Sequence, residues 1–326
     1  MTATTESGVY LDSFLAPLAP FLARADITDI YVNRPGELWI ETLGGEIERH
    51  DCPALTEPVL MRLARQIAAR SAQGISREHP LLAANLPDGA RVQIVAPPAT
   101  RGSLAMAVRK HVSAGLSLGD YFDAGAFEEL QARKAGLETR SVFVGLGAAE
   151  AKETLADAVR MRRNILISGG TSTGKTTFLN ALLREVPQRE RLILIEDTPE
   201  LELVQPNAVG LLAARSALSE ASLAAEDLLI AALRMRPDRI ILGELRGKEA
   251  YTFLRTVNTG HPGSMTTIHA DSPVRAMEQL ALLVLQSGAQ LRWEDVLQYV
   301  RSSIDVFVQL ERSGGRRRVA EIMVRR

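Results

Sequence analysis

The sequence holds a single cysteine, Cys52, in 326 residues. One thiol cannot close an intrachain disulfide or supply a CxxC zinc pair, so a disulfide-stapled scaffold is excluded and a reducing compartment is allowed. Positive charge is not in excess either: 38 Lys and Arg face 39 Asp and Glu, for a net charge of −1. Dedicated nucleic-acid binders carry a basic surplus, so direct nucleic-acid binding is not expected. No apolar run approaches the roughly 18 residues that span a bilayer. The N-terminus lacks a basic segment, and Glu6 and Asp12 interrupt its apolar stretches, which does not read as a signal peptide. The expected location is therefore the cytoplasm. Repeats and low-complexity segments are also missing. What remains, at 46% hydrophobic and 24% charged residues, is an ordinary globular composition. At about 150 residues per domain the length suggests two domains, each large enough to bury a core.

Residues 1–112 read as a mixed α+β domain. DIYVN (Asp29 to Asn33) and ELWIET (Glu37 to Thr42) alternate as strands around an RPG turn. Leu60, Leu63, Ala64, Ile67 and Ala68 recur at helical spacing, and RVQIVAPP and SLAMAVRK read as two further strands. Residues 113–147, rich in Gly, Ala and isolated charges, read as a linker with one or two short helices. From 148 to 326 strands and helices alternate. NILIS, RLILIED, RIILGE and SMTTIHA are the strands, and Ser272-Pro273 opens a helix as N-cap and first turn. The end of the chain reads as a hairpin turning at Ser313 to Gly315. Such alternation predicts a mostly parallel α/β sheet covered by helices.

Gly169 to Thr176 reads GGTSTGKT, the P-loop pattern GxxxxGK(S/T), set between a strand and a helix as that motif requires. Glycines let the backbone approach phosphate oxygens without a Cβ in the way. The successive N–H groups from Gly169, Gly170, Thr171, Ser172, Thr173 and Gly174 through Lys175, Thr176 and Thr177 form an anion-binding nest at a helix N-terminus. Lys175 is expected to reach the β- and γ-phosphates of ATP, and the Thr176 hydroxyl to ligate Mg²⁺. No NKxD-type guanine motif follows, and no LSGG-type signature precedes the third-strand acid. That leaves an ATPase with a C-terminal RecA-like P-loop domain.

Ligands of open α/β sheets sit outside the carboxyl ends of the strands. Glu196 and Asp197 end the second strand of this domain, and Glu244 follows the third, where a P-loop NTPase places its Walker B acid. Glu244 is thus the second candidate for Mg²⁺, through water. Gly243 stands where the usual aspartate would be. His261 and His269 flank the fourth strand. Arg316 to Arg318 is the one basic run, and as a hairpin edge it reads as solvated arginines rather than a DNA-tracking patch.

The set GGTSTGKTT, LILIEDTPEL, RIILGELRG and TGHPGSMTTIHA resembles the secretion-ATPase superfamily, whose members drive type IV secretion, type II secretion and pilus motors. The serine-threonine P-loop followed by FLNALL, and the segment TDIYVNRPGELWIE, most resemble the VirB-eleven class of type IV secretion and conjugative transfer. The likeness runs over about residues 10 to 312, and four motifs occur in order. It implies a homohexameric ring with one nucleotide per subunit at the domain interface. It marks Lys175 and Thr176 as Walker A residues, Glu196 as the Asp-box acid, Glu244 as an atypical Walker B glutamate, and His261 and His269 as the His box. It also implies that Arg91, Arg101 and Arg109 of the first domain contact phosphates. The implied partners are further copies of the chain and secretion components at the inner face of the inner membrane. Sequence leaves either Glu196 or Glu244 to orient the attacking water. A pilus or type II secretion motor and an ATP-gated scaffold with little turnover are the alternatives to a type IV secretion motor.

Overall fold

The computed structural model describes residues 6–71, 73–110, 115–128, 130, 143–213, 223–313 and 316–325. The described residues up to 110 form one compact unit, and those from 115 to 213 and from 223 to 325 form another.

In the first unit the chain runs through α1 (Glu6–Leu15), α2 (Ala19–Ala23), β1 (Ile27–Val32), β2 (Glu37–Thr42), β3 (Ile47–Asp51), α3 (Glu57–Arg70), β4 (Leu81–Asn85), β5 (Arg91–Val95) and β6 (Ala105–Arg109). The strands make one antiparallel sheet in the order β3-β2-β1-β6-β5-β4. The RPG turn brings Ile30 opposite Ile40, both fully buried. The α3 stripe of Leu60, Leu63, Ala64, Ile67 and Ala68 packs into the same core. Each Leu or Ile so removed from water stabilises the unit by roughly 1.5–3 kcal/mol relative to an exposed one. Two edge strands escape the sequence reading. β3, IERHD, buries none of its side chains, so no apolar alternation announces it and only its ladder to β2 defines it.

The second unit runs through α4 (Leu118–Asp123), β7 (Phe143–Gly145), α5 (Ala148–Arg160), β8 (Ile165–Gly169), α6 (Lys175–Leu183), β9 (Leu192–Glu196), β10 (Ala208–Leu212), α7 (Ala225–Leu233), β11 (Arg239–Leu242), α8 (Glu249–Asn258), β12 (Met265–Ile268), α9 (Pro273–Gln286), α10 (Trp293–Ser303), β13 (Val306–Ser313) and β14 (Arg316–Arg325). Its sheet order is β10-β9-β11-β12-β8-β13-β14-β7, parallel from β10 to β13 and antiparallel thereafter. The parallel strands inside the β10 edge are buried on both faces, and their period of two divides them between two cores. Ile165, Ile167, Leu192 and Leu194 face α4, α5 and α6, whereas Leu166, Ile193 and Ile195 face α7 to α10. Ser272 caps α9 by accepting the Arg275 N–H at 3.2 Å.

Part of the stretch that the sequence marks as a linker is built into this unit. Ser117 and Asp120 form a capping box at α4, and Leu118, Tyr121, Ala126, Phe127 and Leu130 enter the core. The Tyr121 ring stands edge-on to Phe178 of α6 at 5.1 Å. Residues 113, 114, 129 and 131–142 of that stretch, and Gly314 and Gly315 of the expected hairpin turn, lie outside the described residues.

Candidate nucleotide-binding site

Strand β8 is buried throughout and delivers the chain to Gly169. Here a side chain has no room: a Cβ on Gly169 would lie 2.5 Å from Thr173 Oγ1 and 2.8 Å from the Leu310 carbonyl of β13. The loop then needs two left-handed residues, Ser172 at φ 60° and Gly174 at φ 88°, before α6 begins at Lys175. Thr173 Oγ1 donates to the Gly170 carbonyl at 2.9 Å and braces the turn. Thr171 is exposed, and Thr176 and Thr177 are half-buried in the first turn of α6. The result is the strand–loop–helix cradle expected for polyphosphate.

Lys175 is buried, and its Nζ donates to the carbonyls of Gly169 at 3.0 Å and Gly170 at 3.1 Å. Burial pushes its ammonium pKa down; Glu244 opposes that shift and Arg246 adds to it. His269 Nδ1 lies 3.3 Å from the same Nζ, and His269 Nε2 lies 2.8 Å from Glu244 Oε1. Burial, and next the Lys175 charge, hold the His269 imidazole below its ordinary pKa of 6.5.

Register explains why these groups meet. Ile195 pairs with Leu242, Leu242 with Thr266, and Ile268 with Ser168, so β9, β11, β12 and β8 end along one edge. Glu196, Glu244, His269 and the P-loop follow those ends. The two acids nevertheless differ in their surroundings. Glu196 is buried, and its Oε2 accepts the N–H groups of Glu200 at 2.7 Å and Leu201 at 2.9 Å, which pins the turn after β9. Glu244 faces Lys175 and His269 and is also paired with Arg246, whose Nη1 reaches Asp197 Oδ2 at 3.2 Å. The Glu249 carboxylate accepts the backbone N–H groups of Arg246 and Gly247 at 2.7 and 2.8 Å and holds that loop. Gly243 packs closely here: a Cβ on it would lie 3.2 Å from Glu196 Cβ and 3.5 Å from the Ile195 carbonyl, a contact that a larger residue could make only if Glu196 shifted by a few tenths of an ångström.

His261 is not brought to this edge. It precedes β12, beside the amino end of β8, where Gly263 N donates to Asn164 Oδ1 at 2.9 Å. The four residues of β12 put roughly 13 Å of strand between the two histidines. Of the two histidines of the expected His box, the strand ends bring only His269 to Lys175 and Glu244 within one subunit. His261 Nδ1 is buried without a hydrogen-bond partner among the described residues.

Arg91, Arg101 and Arg109 lie in the first unit. Asp29, Arg109 and Arg91 form a row across β1, β6 and β5, and Arg109 Nε is 2.8 Å from Asp29 Oδ1. Arg101 is exposed between β5 and β6. Two arginines of the second unit escape the sequence reading. Arg246 stands two residues after Glu244 in GELRG, a spacing that puts it at the strand end but says nothing of its partners. Arg317, one of the supposed solvated arginines, lies against Gly174: its Cδ would be 3.0 Å from a Cβ there.

Comparison with known proteins identifies the family. Residues 13–316 match the family described as Type II/IV secretion system protein. The chain is 39% identical to the type IV secretion system protein VirB11 of Bartonella henselae over 98% of this chain and 94% of that protein. It is 40% identical to the type IV secretion system protein PtlH homolog of Bordetella bronchiseptica over 97% and 95%. The solved VirB11 ATPase of the Brucella suis type IV secretion system, in complex with sulphate, is 35% identical over 99% of this chain and 96% of that chain, with a TM-score of 0.50. The pilus retraction motor PilT, at 20% identity and a TM-score of 0.58, shares the fold. The chain belongs to the type II/IV secretion system protein family, as a VirB11-like type IV secretion ATPase.

Proposed function

We propose that this chain works as a homohexameric ring at the inner face of the inner membrane and drives secretion components there by hydrolysing ATP at the P-loop. The bridge from Lys175 through His269 to Glu244 is the observation that carries the site assignment. Backbone N–H groups of Gly169 to Thr177 receive the phosphates. Lys175 Nζ exchanges its two loop carbonyls for β- and γ-phosphate oxygens, whose negative charge offsets the burial that lowers its pKa. Glu244 orients the attacking water. His269 contacts the γ-phosphate and links its loss to Glu244. Glu196 holds the turn that borders the site.

The donors also fit Mg²⁺. Among the described residues no group of three or more His, Cys, Asp or Glu could hold a metal ion by itself. A half-buried Thr176 hydroxyl with an outer carboxylate suits an ion that keeps its waters and rests on nucleotide phosphates. When bound, that ion neutralises charge on the β- and γ-oxygens. Among the described residues no helix is long and apolar enough to cross a membrane, which supports attachment through partners. In this reading residues 1–112 are the domain that closes over the nucleotide and carry Arg91, Arg101 and Arg109 as its phosphate contacts. Residues 113–147 connect them to the ATPase domain, 148–326.

The test is ATPase activity per subunit against protein concentration, with Lys175→Ala as the blank and the particle sized in parallel. Activity that rises as rings assemble supports the motor. Activity equal to the blank at every concentration overturns it in favour of a nucleotide-gated scaffold.

A further inference from the structure

The arginines of β14 do not share one environment. Arg316 is exposed. Arg318 Nε is 2.5 Å from Glu311 Oε1 on the neighbouring strand. Arg317 points to the opposite face, the one on which Val319, two residues on, enters the core that α6 also lines. Its side chain crosses the end of the P-loop: measured from a Cβ built on Gly174, Cδ would lie at 3.0 Å, Nε at 3.5 Å and Nη1 at 3.8 Å. The glycine that supplies the left-handed turn before α6 thus also leaves room for this arginine. Among the described residues no carboxylate lies within ion-pair distance of Arg317. Its charge is felt at Tyr121, whose phenol burial pushes up to about 12 while Arg317 works against that rise.

A half-buried guanidinium with no carboxylate partner among the described residues, beside a helix N-terminus and a nest of N–H groups, is a site built for an anion. Sheet order says which part of the anion. Glu244 and His269 follow β11 and β12, on one side of β8, whereas Arg317 sits on β14, two strands to the other side. The γ-phosphate belongs to the Glu244 side, so Arg317 faces the far end of the polyphosphate. We propose that Arg317 binds the α-phosphate side of the nucleotide and so contributes equally to ATP and ADP affinity. This rests on the P-loop assignment above. Because the contact is the same before and after hydrolysis, its loss raises KM and leaves kcat in place.

The experiment measures the affinity of fluorescent ADP and of a fluorescent, slowly hydrolysed ATP analogue for the full chain. The variants are Arg317→Ala, Arg317→Lys and, as a control, Arg316→Ala, with melting temperatures taken without nucleotide. Arg317→Ala should weaken both nucleotides about tenfold, with Arg317→Lys recovering part of the loss and Arg316→Ala unchanged. At saturating ATP, kcat of Arg317→Ala should stay within about twofold of the parent. Unchanged ADP affinity overturns the inference, as does weakening of the ATP analogue alone. Equal weakening by alanine and lysine with a lowered melting temperature assigns Arg317 to packing instead. Lys175→Ala separates the two levels: normal binding by that variant sinks the P-loop assignment itself, whereas its loss beside an indifferent Arg317→Ala sinks this inference alone.

Discussion

His269 Nε2 lies 2.8 Å from Glu244 Oε1, while the other ring nitrogen of His269 is 3.3 Å from Lys175 Nζ. A neutral imidazole lets Nδ1 accept from the ammonium, while Nε2 approaches Glu244 Oε1 as a charge contact without an aligned hydrogen bond. Its replacement by glutamine keeps the size but not this two-sided geometry. His269→Gln should lower kcat by roughly 10² while nucleotide affinity changes little, as for loss of one transition-state donor. Steady-state kinetics beside a binding titration checks this, and an unchanged kcat would remove His269 from the chemistry.

The same histidine gives a pH dependence of stability. Its folded pKa is below the ordinary 6.5, so between those two values the unfolded chain binds the proton and the folded chain does not. The contribution is therefore present above about 6.5 and lost as pH falls toward the folded value. Melting temperature should decline on acidification through this window, and the decline should be shallower in His269→Gln. Parallel profiles for the two proteins would contradict the shift.

The two acids should separate under substitution. Glu244→Gln is expected to bind ATP and lose turnover by about 10² or more. Glu196→Gln weakens an acceptor of two backbone N–H groups and should cost roughly 1–3 kcal/mol of stability instead. Single-turnover hydrolysis and denaturant melts distinguish them. Normal hydrolysis by Glu244→Gln with a dead but stable Glu196→Gln would reverse the roles.

Restoring the usual Walker B aspartate should harm this protein. Gly243→Asp places a Cβ 3.2 Å from Glu196 Cβ and crowds that buried side chain, at an expected cost of roughly 1–3 kcal/mol. An unaltered melting temperature would show that the strand ends give way.

Lys175→Ala removes the cation aimed at the β- and γ-phosphates, and turnover should fall by at least about 10³. Full activity in that variant would place hydrolysis elsewhere in the chain.

Much of the site was legible because its signals are local. GGTSTGKT carries its own turn chemistry, and buried strands such as LILIE and RIIL announce themselves by continuous apolar runs. That His261 and His269 flank one short strand already implied opposite ends, a consequence the family likeness obscured. The part of the stretch after residue 112 that belongs to a core was not legible, because α4 spans one to two turns and its buried residues show no sustained period. Nor was β3, whose polar residues form a strand only because β2 offers a ladder.

The sequence by itself determined the P-loop, the alternating α/β order and the acids at the strand ends, since each depends on neighbours within a few residues. The tertiary structure alone decided which of those acids faces Lys175, that Gly243 packs against Glu196, and that Arg317 leaves its basic run to lie against Gly174. These depend on strand order and register, which juxtapose residues such as Gly174 and Arg317 that are far apart along the chain. Local propensity carries no record of that juxtaposition; packing two cores against one sheet creates it.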